Sequence, residues 1–265
     1  MDIRILPEAW DESLPLENPA AYALFKADPS MSGYIVGQSP CGCYALVIHP
    51  GAADFAERLH DYIAYHNAHG RQVMIHAPGL DIGSLPGPPE GIRPGDPRYA
   101  IHSTLLSSYE KILRDGHLKS PARLAAEGRP VPAIGFTPLG EPADFLEYIM
   151  FGGFAVPGMP DTPACEIVVN SRLRGEVCYD PDTPYTPQAR MYFDAHKIIA
   201  DGLAVRDGAH TLKVYDMLPL EPYLLVTVFA ETVALPPGEP HWTPALFSAQ
   251  ADAYFARWVE KTKNA

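Results

Sequence analysis

His102, Ser103 and Thr104 stand in a row within RYAIHSTLLSSYEKILRDGHLKS, residues 98–120. The histidine titrates near neutrality and can donate or accept a hydrogen bond, and small hydroxyl residues beside it let a ligand approach the backbone. A short β-type run over 99–101 delivers the trio, and an amphipathic helix over 107–114, with Ile112 and Leu113 facing inward, follows it. A strand mouth followed by a helix presents side chains and free backbone N–H groups to a ligand. The plainer reading stays open: Ser103 or Thr104 caps the helix, and His102 ends a strand with its hydrogen bonds satisfied.

Further candidates lie downstream. TPQARMYFDAHKIIADG, residues 186–202, carries Arg190, Tyr192, Asp194 and His196. A guanidinium suits fork-like recognition of phosphate, which makes Arg190 a phosphate candidate. Asp194 either joins a site or caps a helix that begins at 195. Because i and i+2 share a strand face, Asp194 and His196 also admit a divalent metal shared with His102, the chemistry of a phosphohydrolase or nuclease. Glu231, in VFAETV, comes late in an apolar strand pattern. A carboxylate there either faces solvent or is held to stabilise developing positive charge such as an oxocarbenium ion. Glu141 and Asp144 fall in the first turn of a helix expected over 141–151, where acidic residues are favoured. With the Gly152–Gly153 pair, that helix could instead wall a cleft.

The elements that must position these residues divide at a linker. Residues 1–35 read as an irregular, partly helical lead-in. Then CYALVIH (43–49) reads as a buried strand, 54–69 as a helix with Phe55, Leu59, Tyr62, Ile63 and His66 on one face, and QVMIH (72–76) as a second buried strand. This β-α-β unit is too small to stand alone. Residues 77–98 are dense in Pro and Gly and break all periodicity, which places a boundary near 95 and divides the chain into 1–95 and 96–265. Beyond it come a short helix over 121–127, a strand over 133–137, the 141–151 helix, strands over 166–170 and 191–194, a short helix over 195–201, strands over 210–215 and 223–233, and a final helix over 245–263. Short strands with short helices and no steady alternation argue for an α+β fold.

Composition bounds the function. The chain has 265 residues, 47% of them apolar, enough for a substantial core. Twenty basic residues against 32 acidic give a net charge of −12, which excludes a broad basic face for nucleic acid and leaves a small ligand, a protein or a local nucleic-acid contact as partners. No apolar run is long enough to span a membrane, and the acidic N-terminus has no signal-peptide core. Cys41, Cys43, Cys165 and Cys178 form no CxxC pair and read as reduced thiols of a cytoplasmic protein. Neither a dinucleotide-binding glycine fingerprint nor a P-loop is present.

In order along the chain, IHSTLLSSYEKILRDGHL, GFTPLGEPADFLEYI and YFDAHKIIADGLAVRDGAHTLKVYDMLPLEPYLL resemble segments of the ADP-ribosyltransferase-like superfamily. The last of them is similar to a stretch of the tRNA 2′-phosphotransferases, and DNA-modifying toxins of the DarT type share the general pattern. Ser103 stands where that pattern usually has glycine. The resemblance covers roughly residues 97–235. It implies an ADP-ribosyltransferase-like split β-sheet core, preceded by the small β-α-β unit, with NAD bound as co-substrate in the split. It further implies that His102 holds the nicotinamide-side ribose or amide, that Ser103 and Thr104 lie close by, that Arg190 contacts a phosphate, that Tyr192 stacks on nicotinamide and that Glu231 is the catalytic carboxylate. ADP-ribose would pass to an acceptor that the sequence does not identify. A binding module without catalysis is the remaining alternative.

Overall fold

The computed structural model describes residues 2–131, 141–154, 164–210 and 212–263, with 153 and 154 described by their backbone. The strand predicted over 133–137 lies outside them. The chain is mixed α and β with several sheets and divides into two compact units. Unit 1 comprises Met1–Glu90, Thr137–Phe145 and Arg206–His210; unit 2 comprises Gly91–Phe136, Leu146–Val205 and Thr211–Ala265.

Unit 1 is a five-stranded sheet. Its strands are β1 (Ile3–Ile5), β2 (Tyr22–Ala27), β3 (Tyr34–Gln38), β4 (Tyr44–Ile48) and β5 (Gln72–His76), in the order β1-β5-β2-β4-β3. Helix α1 (Phe55–Ala68) joins β4 to β5, as the apolar periodicity predicts. The lead-in is not irregular: it supplies β1, β2 and the start of β3. Strand β2 sits between β4 and β5, parallel to both, with Ala23, Leu24 and Phe25 fully buried. A three-residue apolar centre of that kind gains a strand's hydrogen bonds only from neighbours on both sides, so its own sequence carries little period.

Two later pieces of chain complete unit 1. The Asp144 carboxylate accepts from Arg71 Nη1 at 2.7 Å, Arg71 Nη2 at 3.1 Å and the Tyr65 hydroxyl at 2.7 Å. Phe145 meets Tyr44, Tyr65 and His210 edge-on. Arg58 donates to the carbonyl of Gly208 at 2.9 Å. Gly208 has φ +74, and a Cβ there would lie 2.2 Å from the carbonyl oxygen of Arg58, so the close approach requires glycine.

Unit 2 is built on a six-stranded sheet in the order β10-β11-β8-β6-β9-β13, from β6 (Tyr99–Thr104), β8 (Tyr148–Phe154), β9 (Ala189–Asp194), β10 (Ala204–Val205), β11 (Leu212–Tyr215) and β13 (Leu224–Val228). A small pair, β7 (His117–Lys119) with β12 (Met217–Pro219), forms a separate two-stranded sheet whose Leu118 and Leu218 pack into the same core. The helices are α2 (Leu106–Asp115), α3 (Pro121–Ala126), α4 (Ala164–Arg174), α5 (Ala195–Ala200) and α6 (Pro244–Lys263). One apolar cluster gathers Ala100, Ile149, Phe151, Met191, Phe193, Leu212 and Val214. A second gathers Tyr99, Ile101, Tyr192, Val228, Ala251 and Phe255. Neighbouring residues of β6 and of β9 alternate between the two clusters, so the clusters mark the two faces of the sheet.

Several expectations change here. Strand β6 does not stop at 101 but runs through Thr104, so the polar trio is strand rather than strand mouth. Leu113, expected inward, is exposed. The helix expected over 141–151 is a 3₁₀ turn, Ala143–Glu147, followed by β8. Phe145, Tyr148 and Ile149 are buried as expected, but 148–151 pair with β11 and 152–154 with β6, and pairing on both edges outweighs a helical period. EIVVN (166–170), β-like in composition, is helical: Glu166 and Asn170, one turn apart, are both buried on one side of α4. The 223–233 pattern is likewise divided. Strand β13 ends at Val228, and Thr232 Oγ1 accepts the N–H of Phe229 to form a 3₁₀ turn, Ala230–Thr232.

Because burial alone would raise the Asp144 carboxyl, its position at about 2 reflects the hydrogen bonds from Arg71 and Tyr65 and the charge of Arg71. A carboxyl depressed on folding stabilises the fold above its unfolded pKa and loses that contribution as pH falls from about 4 to about 2. Asp144→Asn should cost about 3 kcal/mol at pH 7, read as a lower urea midpoint. The gap to the wild type should close by pH 2; equal midpoints at pH 7 would show that Asp144 does not hold unit 1 together.

Candidate functional site

The residues singled out from the sequence separate onto the two faces of the unit 2 sheet. Strands β6 and β9 are antiparallel, with Ile101 opposite Tyr192, His102 opposite Met191 and Ser103 opposite Arg190. Directly opposed residues share a face. Ser103, Arg190 and Tyr192 therefore point one way, and His102 and Thr104 the other.

On the first face, Arg190 is completely buried in a polar network. Its Nη1 donates to Glu166 Oε1 at 3.0 Å and its Nη2 to Asp252 Oδ1 at 2.9 Å. Its Nε approaches the Tyr192 hydroxyl at 2.9 Å, and that hydroxyl donates to Asp252 Oδ1 at 2.6 Å. Ser103 Oγ donates to Glu166 Oε1, and the Tyr185 hydroxyl donates to Glu166 Oε2 at 2.5 Å. Burial pulls the Arg190 guanidinium down, but Tyr192, Asp252 and Glu166 more than offset it and hold it charged. Burial drives the Tyr192 and Tyr185 hydroxyls upward, so both remain donors. Tyr192 stacks on Phe255 of α6 with ring centroids 4.2 Å apart. Two carboxylates and one guanidinium taken out of water are stable together because each oxygen named here has a donor.

Sequence reasoning missed Glu166, Asp252 and Tyr185. One signal was present: Asp252 lies on the inward side of α6 among Phe247, Ala251, Phe255 and Val259, and an acidic residue on an apolar stripe needs a buried partner. Tyr185 also lines a shallow groove with Asn170, Leu173, Arg174, Thr186 and His241, none of them a residue that the sequence singled out.

On the second face, His102 sits where the sheet opens. The last β6–β8 pair is Ile101 with Gly152. One residue on, β8 has changed partner: Phe151 pairs with Leu212 of β11, and β6 continues with β9 alone. His102 is the first residue past that parting. Its Nδ1 lies 3.3 Å from the carbonyl oxygen of Met150, which fixes the Nδ1–H tautomer and leaves Nε2 as an acceptor. Its ring meets Phe151 edge-on at 5.8 Å. Burial, and secondarily the Arg172 charge, outweigh the Met150 hydrogen bond and lower the imidazole to about 4. His102 is thus a neutral hydrogen-bonding group at pH 7. Thr104, buried, follows on the same face at the end of β6.

Glu231 is exposed, in the 3₁₀ turn three residues past Val228, which pairs with Arg190. That places it at the end of the sheet where β6 finishes. Asp194 caps α5 by accepting the Lys197 N–H at 2.9 Å and pairs with Arg98. It stands opposite Tyr99, three positions along the strand from His102, or about 10 Å. His196 lies in α5. Among the described residues no group of three or more His, Cys, Asp or Glu is placed to hold a metal ion, and no helix is long and apolar enough to cross a membrane. All four cysteines are free thiols. No family model matches the chain, and no curated protein or solved structure matches it significantly.

Arg190→Met, which leaves Glu166 and Asp252 buried without their cation, should lower stability by about 3–5 kcal/mol. Arg190→Lys should recover only part of it, because an ammonium cannot fork to both carboxylates; full recovery in chemical denaturation would refute the fork. In an NMR titration the His102 ring should change protonation near pH 4. A midpoint near the ordinary histidine value, about 6.5, would mean that the ring is open to solvent.

Proposed function

We propose that unit 2 transfers ADP-ribose from NAD⁺ to an acceptor, using a split-sheet core of the ADP-ribosyltransferase type. One observation carries the reading: β8 leaves β6 for β11 at Ile101 and Gly152, and the next residue of β6 is the neutral His102. A sheet opened between two strands gives a flat ligand access to side chains and backbone that a continuous sheet would close off. The Nε2 acceptor of His102 suits a ribose hydroxyl or a carboxamide N–H. Thr104 lies on the same face, and Glu231 stands at the same end of the sheet.

In this reading His102 orients the nicotinamide half of NAD⁺. The bond between ribose C1′ and the nicotinamide nitrogen breaks with its electron pair leaving on nicotinamide. The carboxylate of Glu231 stabilises the cationic ribose, and an acceptor nucleophile attacks C1′ and gives up its proton. Ser103, Arg190 and Tyr192 act in the scaffold behind the site, and do not touch the ligand.

Nicotinamide release from NAD⁺ by the full chain tests this, with water as the default acceptor. His102→Ala and Glu231→Gln should each reduce the rate by about 100-fold or more without lowering the melting temperature. Absence of release from the wild type, or equal rates in wild type and both variants, would rule the activity out.

A further inference from the structure

The two ends of the unit 2 sheet are unlike. At one, β10 is only two residues long. At the other, β13 reads LLVTV and pairs with β9 along one edge. Among the described residues no strand meets its outer edge, and the backbone of Leu225–Thr227 makes no hydrogen bond to an element other than β9. Leu224–Thr227 are half-buried, so water reaches the strand. A proline, a charge or a bulge commonly closes such an edge to new partners. Strand β13 holds no proline and no charged residue. Its register shift falls at Leu225, near the start, and Val226, Thr227 and Val228 continue regularly opposite Tyr192, Met191 and Arg190. Unmatched N–H and C=O groups along an extended edge are complementary to another extended backbone.

The position of the edge gives such a partner a use. Thr227 stands opposite Met191, and Met191 opposite His102, so the three form one row across the sheet on the face of the opening. At the usual strand spacing β13 lies about 10 Å from β6. Past Val228 the chain enters the turn that carries Glu231. A segment laid on the outer edge of β13 therefore leads toward that carboxylate.

We propose that β13 docks the acceptor, an extended polypeptide segment added to the sheet edge as a further strand. What becomes of the segment rests on the ADP-ribosyl transfer reading; the docking does not. A side-chain oxygen or nitrogen of the segment would bond to ribose C1′ as the bond to nicotinamide breaks, and its proton would pass to water. The net charge of −12 favours a polypeptide over a nucleic acid on this edge.

Amide hydrogen exchange of the full chain with a mixture of randomised decapeptides tests the docking without turnover. The outward amides within 225–228 should exchange about tenfold or more slowly when the mixture is present. Leu225→Pro, which removes an N–H at the bulge, should abolish the effect. Thr227→Lys, which keeps the backbone intact and places a charge on the edge, should do the same and guards against loss of fold in the proline variant. Unchanged exchange in the wild type, or equal slowing in the folded variants, overturns the proposal. So does slowing by a single-stranded oligonucleotide instead of the peptides, or slowing that follows protein concentration alone, which would give the edge to a second copy. Slowing by the peptides in a protein that releases no nicotinamide from NAD⁺ would retain the docking edge and discard the transferase.

Discussion

The burial of one guanidinium governs the rest of unit 2. Arg190 has no access to water, so its charge must be met inside the protein. Tyr192 of β9, Glu166 of α4 and Asp252 of α6 meet it directly, and Ser103 of β6 and Tyr185 of the segment ahead of β9 complete the donors around Glu166. Satisfying them fixes Ser103 opposite Arg190, and with that the register of β6 on β9. A slip of one residue would turn every side chain of β6 over and take the Ser103 donor away from Glu166. His102 faces the sheet opening because its neighbour must face the network.

This explains which parts of the molecule could be read from the sequence. Elements with a complete local signal were legible: α1 and α6 with their apolar stripes, β4 and β5 as continuous apolar runs, and α5 with Asp194 at its cap. Segments whose state depends on distant partners were not. EIVVN looks like a strand until Glu166 is seen to need Arg190, and Tyr148–Phe154 looks helical until it is seen to have strands on both sides. The candidate residues were legible as chemistry but not as geometry. His102, Ser103 and Thr104 read as one polar trio, yet a two-residue period sends the middle one to the opposite face. Ser103, in place of the glycine that the resemblance leads one to expect, has a use in this chain: it is a donor to Glu166.

Charge is handled differently on the two faces of the same strand. Behind β6 one guanidinium and three hydroxyls supply the donors that two carboxylates need, leaving a net charge of −1 held by hydrogen bonds. In front, a single imidazole is kept neutral by burial and bonded to the Met150 carbonyl.

Unit 1 is interleaved with later parts of the chain. Its first ninety residues contain every strand of its sheet, but the carboxylate for Arg71 and the backbone carbonyl for Arg58 arrive with 141–145 and 206–210. On a ribosome making the chain from its N-terminus, Arg71 would wait some seventy residues for Asp144, and Arg58 a further stretch for Gly208. The sheet is translated early and sealed late. A nascent chain halted in between carries an unsealed α/β layer, the kind of intermediate that chaperones hold.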